Sequence, residues 1–336
     1  MVYSFHLCRH PNIHYREALM RLSRCELFSM LQSLSVCAEP QAEKIGAADF
    51  LTFECRELSL EELSFLAGHS SVDLLCERQD RLLRPLPVSS SDLFPGDLPE
   101  ILKYKGKTNP SFTRMMLNTA LSLSRSAGSP EAVTALDPLC GKGTTLFCAA
   151  CMGISASGVE TDGRSLKELS DCFSRYLQSA GVKYSVRDYS ETAEGKGIPG
   201  KCFSYAASRE DYKAGKKLYL NLFHADSSLA GTLLRKAPAD ILVADLPYGV
   251  QHAPLAGGGM SSFSSFLSRM LPSWKKALKP GAAAALSFNT LTLKAESVRS
   301  ALQEHGFHVI DTSPYTGLAH AVEHAVTRDL VFAVLP

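Results

Sequence analysis

No apolar run in this 336-residue sequence approaches the roughly 20 residues that span a bilayer. Its opening, MVYSFHLCRHPNIHYRE, lacks the long apolar segment and small-residue cleavage site of a secretory leader. The ten cysteines (8, 25, 37, 55, 76, 140, 148, 151, 172 and 202) are scattered, with no framework spacing. A chain of this length buries a large core without covalent staples, so they read as reduced thiols. Together these absences predict a cytoplasmic protein. An excess of charge is missing too: 35 Lys and Arg against 34 Asp and Glu leave a net charge of +1, which names no partner.

The distribution of charge says more. Residues 101–130 hold Lys103, Lys105, Lys107, Arg114 and Arg125 and not one acid. A second stretch carries Lys196, Lys201, Arg209, Lys213, Lys216 and Lys217, offset by Glu194, Glu210 and Asp211. Such runs are usually solvated surface. The sharper reading is a phosphate-facing rim, because neutralising a few phosphates needs only local clusters.

Residues 1–88 read as a small α+β domain. VYSFHL, FLTFECR and SVDLLCER are strand-like, residues 14–33 have helical spacing, and Ser59-x-x-Glu62 resembles a capping box. Residues 89–100, SSSDLFPGDLPE, have linker composition. Residues 101–336 alternate strand and helix, which predicts a mostly parallel sheet covered on both faces, closed by an antiparallel pair from FHVID and DLVFAVL. Residues 188–217 look like an insertion, a hairpin of KCFSYAA and KLYLNLF around REDYKAGK.

The first strand of this region runs into Asp137-Pro138-Leu139-Cys140-Gly141-Lys142-Gly143-Thr144-Thr145. Glycines at a strand end let the backbone approach a ligand, and a following helix offers free N–H groups. A dinucleotide fingerprint would need a third Gly where Leu146 stands, and a phosphate loop would need Ser or Thr after Lys142. Neither fits. DPLCGKGTTL instead resembles the motif of S-adenosylmethionine (SAM)-dependent methyltransferases that act on nucleic-acid amino groups. The resemblance implies SAM as cofactor, held by Asp137, Pro138, Cys140, Gly141, Gly143 and Thr144. It also implies a Rossmann-like class I fold, α/β with a mostly parallel seven-stranded sheet and an antiparallel last strand. At the end of the second strand a carboxylate can accept both ribose hydroxyls; Glu160 has the position for it, while Asp162 suits a helix N-cap. Asp226, ending the third strand, stands where the family accepts from the adenine amino group, or it caps the next helix.

The fourth strand ends Asp245-Leu246-Pro247-Tyr248, which resembles the motif that methylates exocyclic amines. Such a nitrogen is a poor nucleophile because its lone pair is delocalised into the base. Asp245 and the Leu246 carbonyl can each accept one amino N–H, while Pro247 stiffens the loop and Tyr248 stacks on the base. The three glycines of VQHAPLAGGGMSS suggest either a lid or a plain loop. Leu246, the segment LKYKGKTNPSFTRMMLNTAL and the closing residues 320–329 resemble the tRNA guanosine-N2 methyltransferases, the THUMP-associated RNA methylases. The resemblance covers residues 100–336; residues 1–88 are too short for a full THUMP module with its usual companion. It implies an RNA partner, tRNA above all. The rivals are a DNA adenine-N6 methyltransferase and a SAM- or RNA-binding module without turnover. Two further strings are set aside. His320-x-x-Glu323-His324 has the letters of a zinc protease motif but precedes a terminal strand. Cys148-x-x-Cys151 lies on an apolar helix without a second pair. No metal is therefore expected.

Overall fold

The computed structural model describes residues 1–9, 13–127, 133–247, 260–323 and 326–336. The N-terminal unit runs β1 (Val2–Leu7), α1 (Ile13–Ser33), β2 (Gln41–Ile45), β3 (Ala48–Glu54), α2 (Leu60–Leu66), β4 (Val72–Gln79) and β5 (Leu82–Pro85). Its strands pair in the order β2-β3-β1-β4-β5, every neighbour antiparallel. The first four strands and two helices make the βαββαβ arrangement of ferredoxin-like domains, to which β5 adds an edge. Edge strands β2 and β5 escape the sequence patterning because QAEKI and LLRP are mostly exposed, and no alternation marks them. The capping box at α2 forms as expected: the Ser59 side chain accepts from Glu62 N and Glu62 accepts from Ser59 N.

The larger unit follows as α3 (Pro110–Leu123), β6 (Thr134–Asp137), α4 (Thr144–Cys151), β7 (Ser155–Glu160), α5 (Gly163–Ser179), β8 (Tyr184–Ala193), β9 (Lys196–Tyr205), α6 (Arg209–Lys213) and β10 (Leu218–His224). It continues through α7 (Ala230–Leu233), β11 (Ala239–Asp245), α8 (Met260–Lys276), β12 (Leu278–Asn289), α9 (Ala295–Glu304), β13 (His308–Ile310), β14 (His320–Glu323) and β15 (Val326–Val334). Among the described residues the sheet has ten strands, in the order β13-β15-β12-β11-β6-β7-β10-β9-β8 with β14 on β15. Neighbours from β12 to β10 are parallel, and β15 is antiparallel to β12 and β13. The count exceeds the seven expected because of the β8–β9 hairpin and β14. KCFSYAA and KLYLNLF do pair, as β9 on β10, but β8 has a mostly exposed, polar sequence that gives no strand signal.

Alternating side chains on the central strands feed two cores. Ala135, Ile241, Val243, Ala283 and Ala285 face one core, with α3, α4 and α5 above them. Leu136, Leu242, Ala244, Ala284 and Leu286 face the other, with α7, α8 and α9. Helix α1 is shared between the units. Tyr15, Ala18, Leu19 and Leu22 pack into the first of these cores, whereas Leu27, Met30 and Leu31 pack into the N-terminal sheet. No helix among the described residues is long and apolar enough to cross a membrane.

Polar groups fix the same junction. Glu26 on α1 is fully buried and accepts from Asn118 Nδ2 of α3 (2.6 Å) and from Ser70 N (2.7 Å). His69 Nδ1 accepts from Ser71 N, so Nε2 carries the proton and donates to Ser23 O (3.0 Å), with Glu26 Oε2 at 3.3 Å. Residues 89–100 are no loose tether: Asp92 takes a two-pronged hydrogen bond from Arg114 of α3 (2.8 Å each), and Leu93 N donates to Cys151 O. Removing one member of such a buried network strands the others. Glu26→Ala is expected to destabilise the protein by about 3–5 kcal/mol. Disruption of the Arg56–Glu62 pair at the surface by Arg56→Ala should cost far less. Urea midpoints of the two variants check the ordering.

Candidate active site

Strands β6 and β11 are parallel neighbours, with Leu136 level with Leu242, so Asp137 and Asp245 both emerge at the carboxyl edge of the sheet. From β6 the chain order runs outward one way to β7 and β10 and the other way to β11 and β12. The connections on the two sides therefore diverge above β6 and β11, and in doubly wound sheets ligands usually bind at such a point.

Residues 138–143 turn tightly from β6 into α4. Gly141 has φ +50° and Gly143 φ +87°, the left-handed region that disfavours side chains. The two glycines serve different ends. A Cβ on Gly143 would lie 2.5 Å from Leu169 Cδ1, whereas one on Gly141 meets nothing within 4 Å. Gly143 is thus a packing requirement, and Gly141 leaves open space over its backbone. Cys140 points its thiol into the core against Gly158 and Leu146, so only its backbone faces the loop. Pro138 is buried at the start of the turn, and Thr144, the first residue of α4, is buried too.

Carboxyl groups crowd this turn. Asp137 is 3% exposed, accepts from Leu139 N (3.0 Å) and from the Thr145 side chain, and is pushed up to about 7. Burial is the main cause, and the charges of Asp245 and Glu160 add to it. Glu160, at the end of β7, accepts from Gly141 N (3.0 Å), Asp162 N (2.7 Å) and the Thr161 hydroxyl (3.2 Å). A carboxylate offers about four acceptor positions. With three donors on it, Glu160 has room for about one ligand hydroxyl as it stands, not the two expected. Asp162 caps α5 through Arg164 N and Ser165 N, and the Ser165 hydroxyl, together with those bonds, holds its carboxyl below the usual range. Asp226 is exposed and caps a short 3-10 turn through Ser228 N (2.9 Å).

Asp245 is held from three elements. Thr108 Oγ1 donates to its Oδ2 (2.5 Å), Arg328 of β15 donates to the same oxygen (3.3 Å), and the Ser287 hydroxyl of β12 donates to Oδ1. The Arg328 side chain is 4% exposed and lies over the Phe112 ring, 4.8 Å from its centroid. Leu246 is buried, and its N–H donates to Ser287 O (2.8 Å), which fixes the peptide that follows Asp245. Pro247 is half-buried; Tyr248 and the glycines of the suspected lid lie outside the described residues.

Residues 103–109 form a strap along these two loops. Tyr104 OH shares a hydrogen bond with Thr144 Oγ1 (3.1 Å), and Lys142 Nζ sits 5.2 Å above the Tyr104 ring while pairing with Glu168. Lys103 and Lys105 are exposed beside it. Thr108, Tyr104 and Ser287 were not legible as site residues, because nothing in their own neighbourhoods marks them. Of the zinc-like string, His320 is buried on β14 with its ring against Tyr15 and Phe112 and its pKa lowered to about 4 by burial, while His324 lies outside the described residues. Among the described residues no group of three or more His, Cys, Asp or Glu is placed to hold a metal ion.

No protein-family model and no curated protein matches this chain. Among solved structures it is similar to TrmN from Thermus thermophilus, at 15% identity and TM-score 0.42 over 89% of this chain and 60% of that one. It thus spans less than two thirds of that protein. It is also similar to a precorrin-6y C5,15-methyltransferase from Geobacter metallireducens (15% identity, TM-score 0.39, 72% and 100% of the two chains). An rRNA methylase from Streptococcus thermophilus aligns at 12% identity and TM-score 0.36, over 68% and 98%. Likenesses this distant say nothing of this chain's substrate, and the chemistry rests on the site itself.

The contrast between the two glycines can be measured. Left-handed strain alone gives Gly141→Ala a cost of about 1–2 kcal/mol. Gly143→Ala adds the collision with Leu169 and should unfold at clearly lower urea. Equal midpoints would contradict the packing role of Gly143.

Proposed function

We propose that this chain is a SAM-dependent RNA methyltransferase that methylates the exocyclic N2 of guanine, with tRNA as its substrate. The observation that carries the reading is the convergence of Asp137, Glu160 and Asp245 around the Gly-rich turn at the strand-order reversal. SAM has a sulfonium, an ammonium and one carboxylate, so it is cationic overall and fits an acidic crevice. Asp137 and the amides at the start of α4 would hold its methionyl end. Gly141 and Gly143 shape the backbone beneath it, with Pro138, Cys140 and Thr144 setting the turn. Glu160 would take a ribose hydroxyl and Asp226 the adenine amino group. When bound, SAM supplies an electrophilic methyl on positively charged sulfur.

The chain's own part is alignment. Asp245 and the Leu246 carbonyl accept the two amino N–H bonds, which turns the nitrogen toward sp3 and aims its lone pair along the transfer line. Pro247 keeps the loop stiff, and Tyr248 gives the base a face to stack on. Methyl transfer would form one N–C bond as one S–C bond breaks, the electron pair staying on sulfur and the proton of the nitrogen passing to water. Arg328 balances the charge of Asp245, which suits an acceptor that stays in place. Exposed Lys103 and Lys105 border the site and suit RNA phosphates. Leu246, where only the backbone carbonyl is used, favours guanine N2 over adenine N6 on the family resemblance.

Mass-spectrometric nucleoside profiling tests the substrate. Deleting the gene should remove N2-methylguanosine from tRNA, and the wild type but not Asp245→Ala should restore it. Undiminished N2-methylguanosine after deletion would reject this assignment. A second outcome follows from Asp137. With its carboxyl raised to about 7, it is neutral in mild acid and charged in mild alkali, and the charged form attracts a cation. SAM affinity is therefore expected to rise with pH through about 7 and then level off. The unliganded protein should lose stability over the same approach to pH 7, because the folded state keeps a proton that the unfolded chain has released. Calorimetry from pH 5.5 to 8.5 reads both, and Asp137→Asn should flatten the SAM dependence.

A further inference from the structure

We infer that Thr108, which lies outside the sheet on the strap before α3, is a positioning residue that holds the Asp245 carboxylate toward the substrate amine. The inference rests on the proposed amine methylation and adds to it a residue that the tetrapeptide motif does not contain. Its basis is a competition for one oxygen. Asp245 Oδ2 receives the Thr108 hydroxyl at 2.5 Å and the Arg328 guanidinium at 3.3 Å. Guanidinium and carboxylate prefer a two-pronged, planar pairing. Arg328 is buried and held over Phe112, so it cannot retreat into solvent. Left alone with Arg328, the carboxylate gains by rotating onto it, which swings an acceptor away from the crevice. The short bond from Thr108, together with Ser287 on the other oxygen, opposes that rotation.

Thr108 is itself placed by the junction between the two units. It precedes Asn109, whose side chain caps α3 by accepting from Phe112 N (3.1 Å). Helix α3 is tied to the N-terminal unit through Asn118 to Glu26 and Arg114 to Gly68 O (2.8 Å). Phe112 meets Tyr15 of α1 edge-on at 6.3 Å. The hydroxyl that orients the acceptor is therefore referenced to the N-terminal unit as well as to the sheet. A displaced acceptor costs rate rather than binding, because an amine held slightly out of line still binds.

The test uses the full-length protein with Thr108→Val, Thr108→Ser and Asp245→Ala, assayed on tRNA lacking N2-methylguanosine. Thr108→Val should lower kcat about 10- to 100-fold, the loss that follows from misplacing a reacting group by about 1 Å. The KM for RNA and the affinity for SAM should not change, and Thr108→Ser, which keeps the hydroxyl, should restore most of the rate. Independently of turnover, the carbon-13 carboxyl signal of Asp245, assigned by its loss in Asp245→Ala, should shift in Thr108→Val and return in Thr108→Ser. Wild-type kcat in Thr108→Val beside an inactive Asp245→Ala would overturn this inference and leave the proposed function standing. An unmoved carboxyl signal in Thr108→Val would overturn it as well. A wild-type protein that methylates no tRNA would overturn both.

Discussion

The structure turns on one constraint: a reversal of strand order at β6 and β11 that sets two acidic strand ends side by side in one crevice. Every other part of the site is a consequence of keeping those acids there. Burying Asp137 raises its pKa and is offset by Thr145 and the Leu139 amide. Asp245 is answered by Arg328, which itself needs the Phe112 ring because it has almost no access to water. Arg328 answers Asp245, but the charges of Asp245 and Glu160 still disfavour the ionised form of Asp137. That cost is the physical argument for a cationic ligand.

How much of this could be read from the sequence depended on how local the signal was. Short apolar strands such as AVTALD and ILVAD, alternating with helices, are a local pattern, and they pointed to a mostly parallel sheet. Asp137, Gly141, Gly143, Glu160 and Asp245 were legible because strand ends and left-handed turns leave marks within a few residues. The polar edge strands β2, β5 and β8 left none, since backbone pairing rather than burial forms them. Thr108 and Ser287 were invisible for a different reason. Their meaning comes from a contact with Asp245 across 137 and 42 residues of chain, which no local pattern encodes.

Motif position also proved coarser than side-chain direction. Cys140 sits inside the Gly-rich turn, yet its thiol belongs to the core against Gly158. Glu160 stands where a ribose acceptor is wanted, but much of its capacity already serves Gly141, Asp162 and Thr161. The ferredoxin-like unit, which from its sequence was only a small α+β domain, is welded to the larger unit along α1. Its buried Glu26 and His69 make that junction polar and specific in geometry rather than a greasy contact.

The central claim is that the acidic crevice beside Gly141 holds a cationic methyl donor with its methyl directed at Asp245. A crystal structure of the protein soaked with SAM tests it most directly. Ligand density is expected over Gly141, with the sulfonium between Asp137 and Asp245 and a ribose hydroxyl on Glu160. Density elsewhere on the molecule, or a crevice that stays closed at saturating SAM, would contradict it.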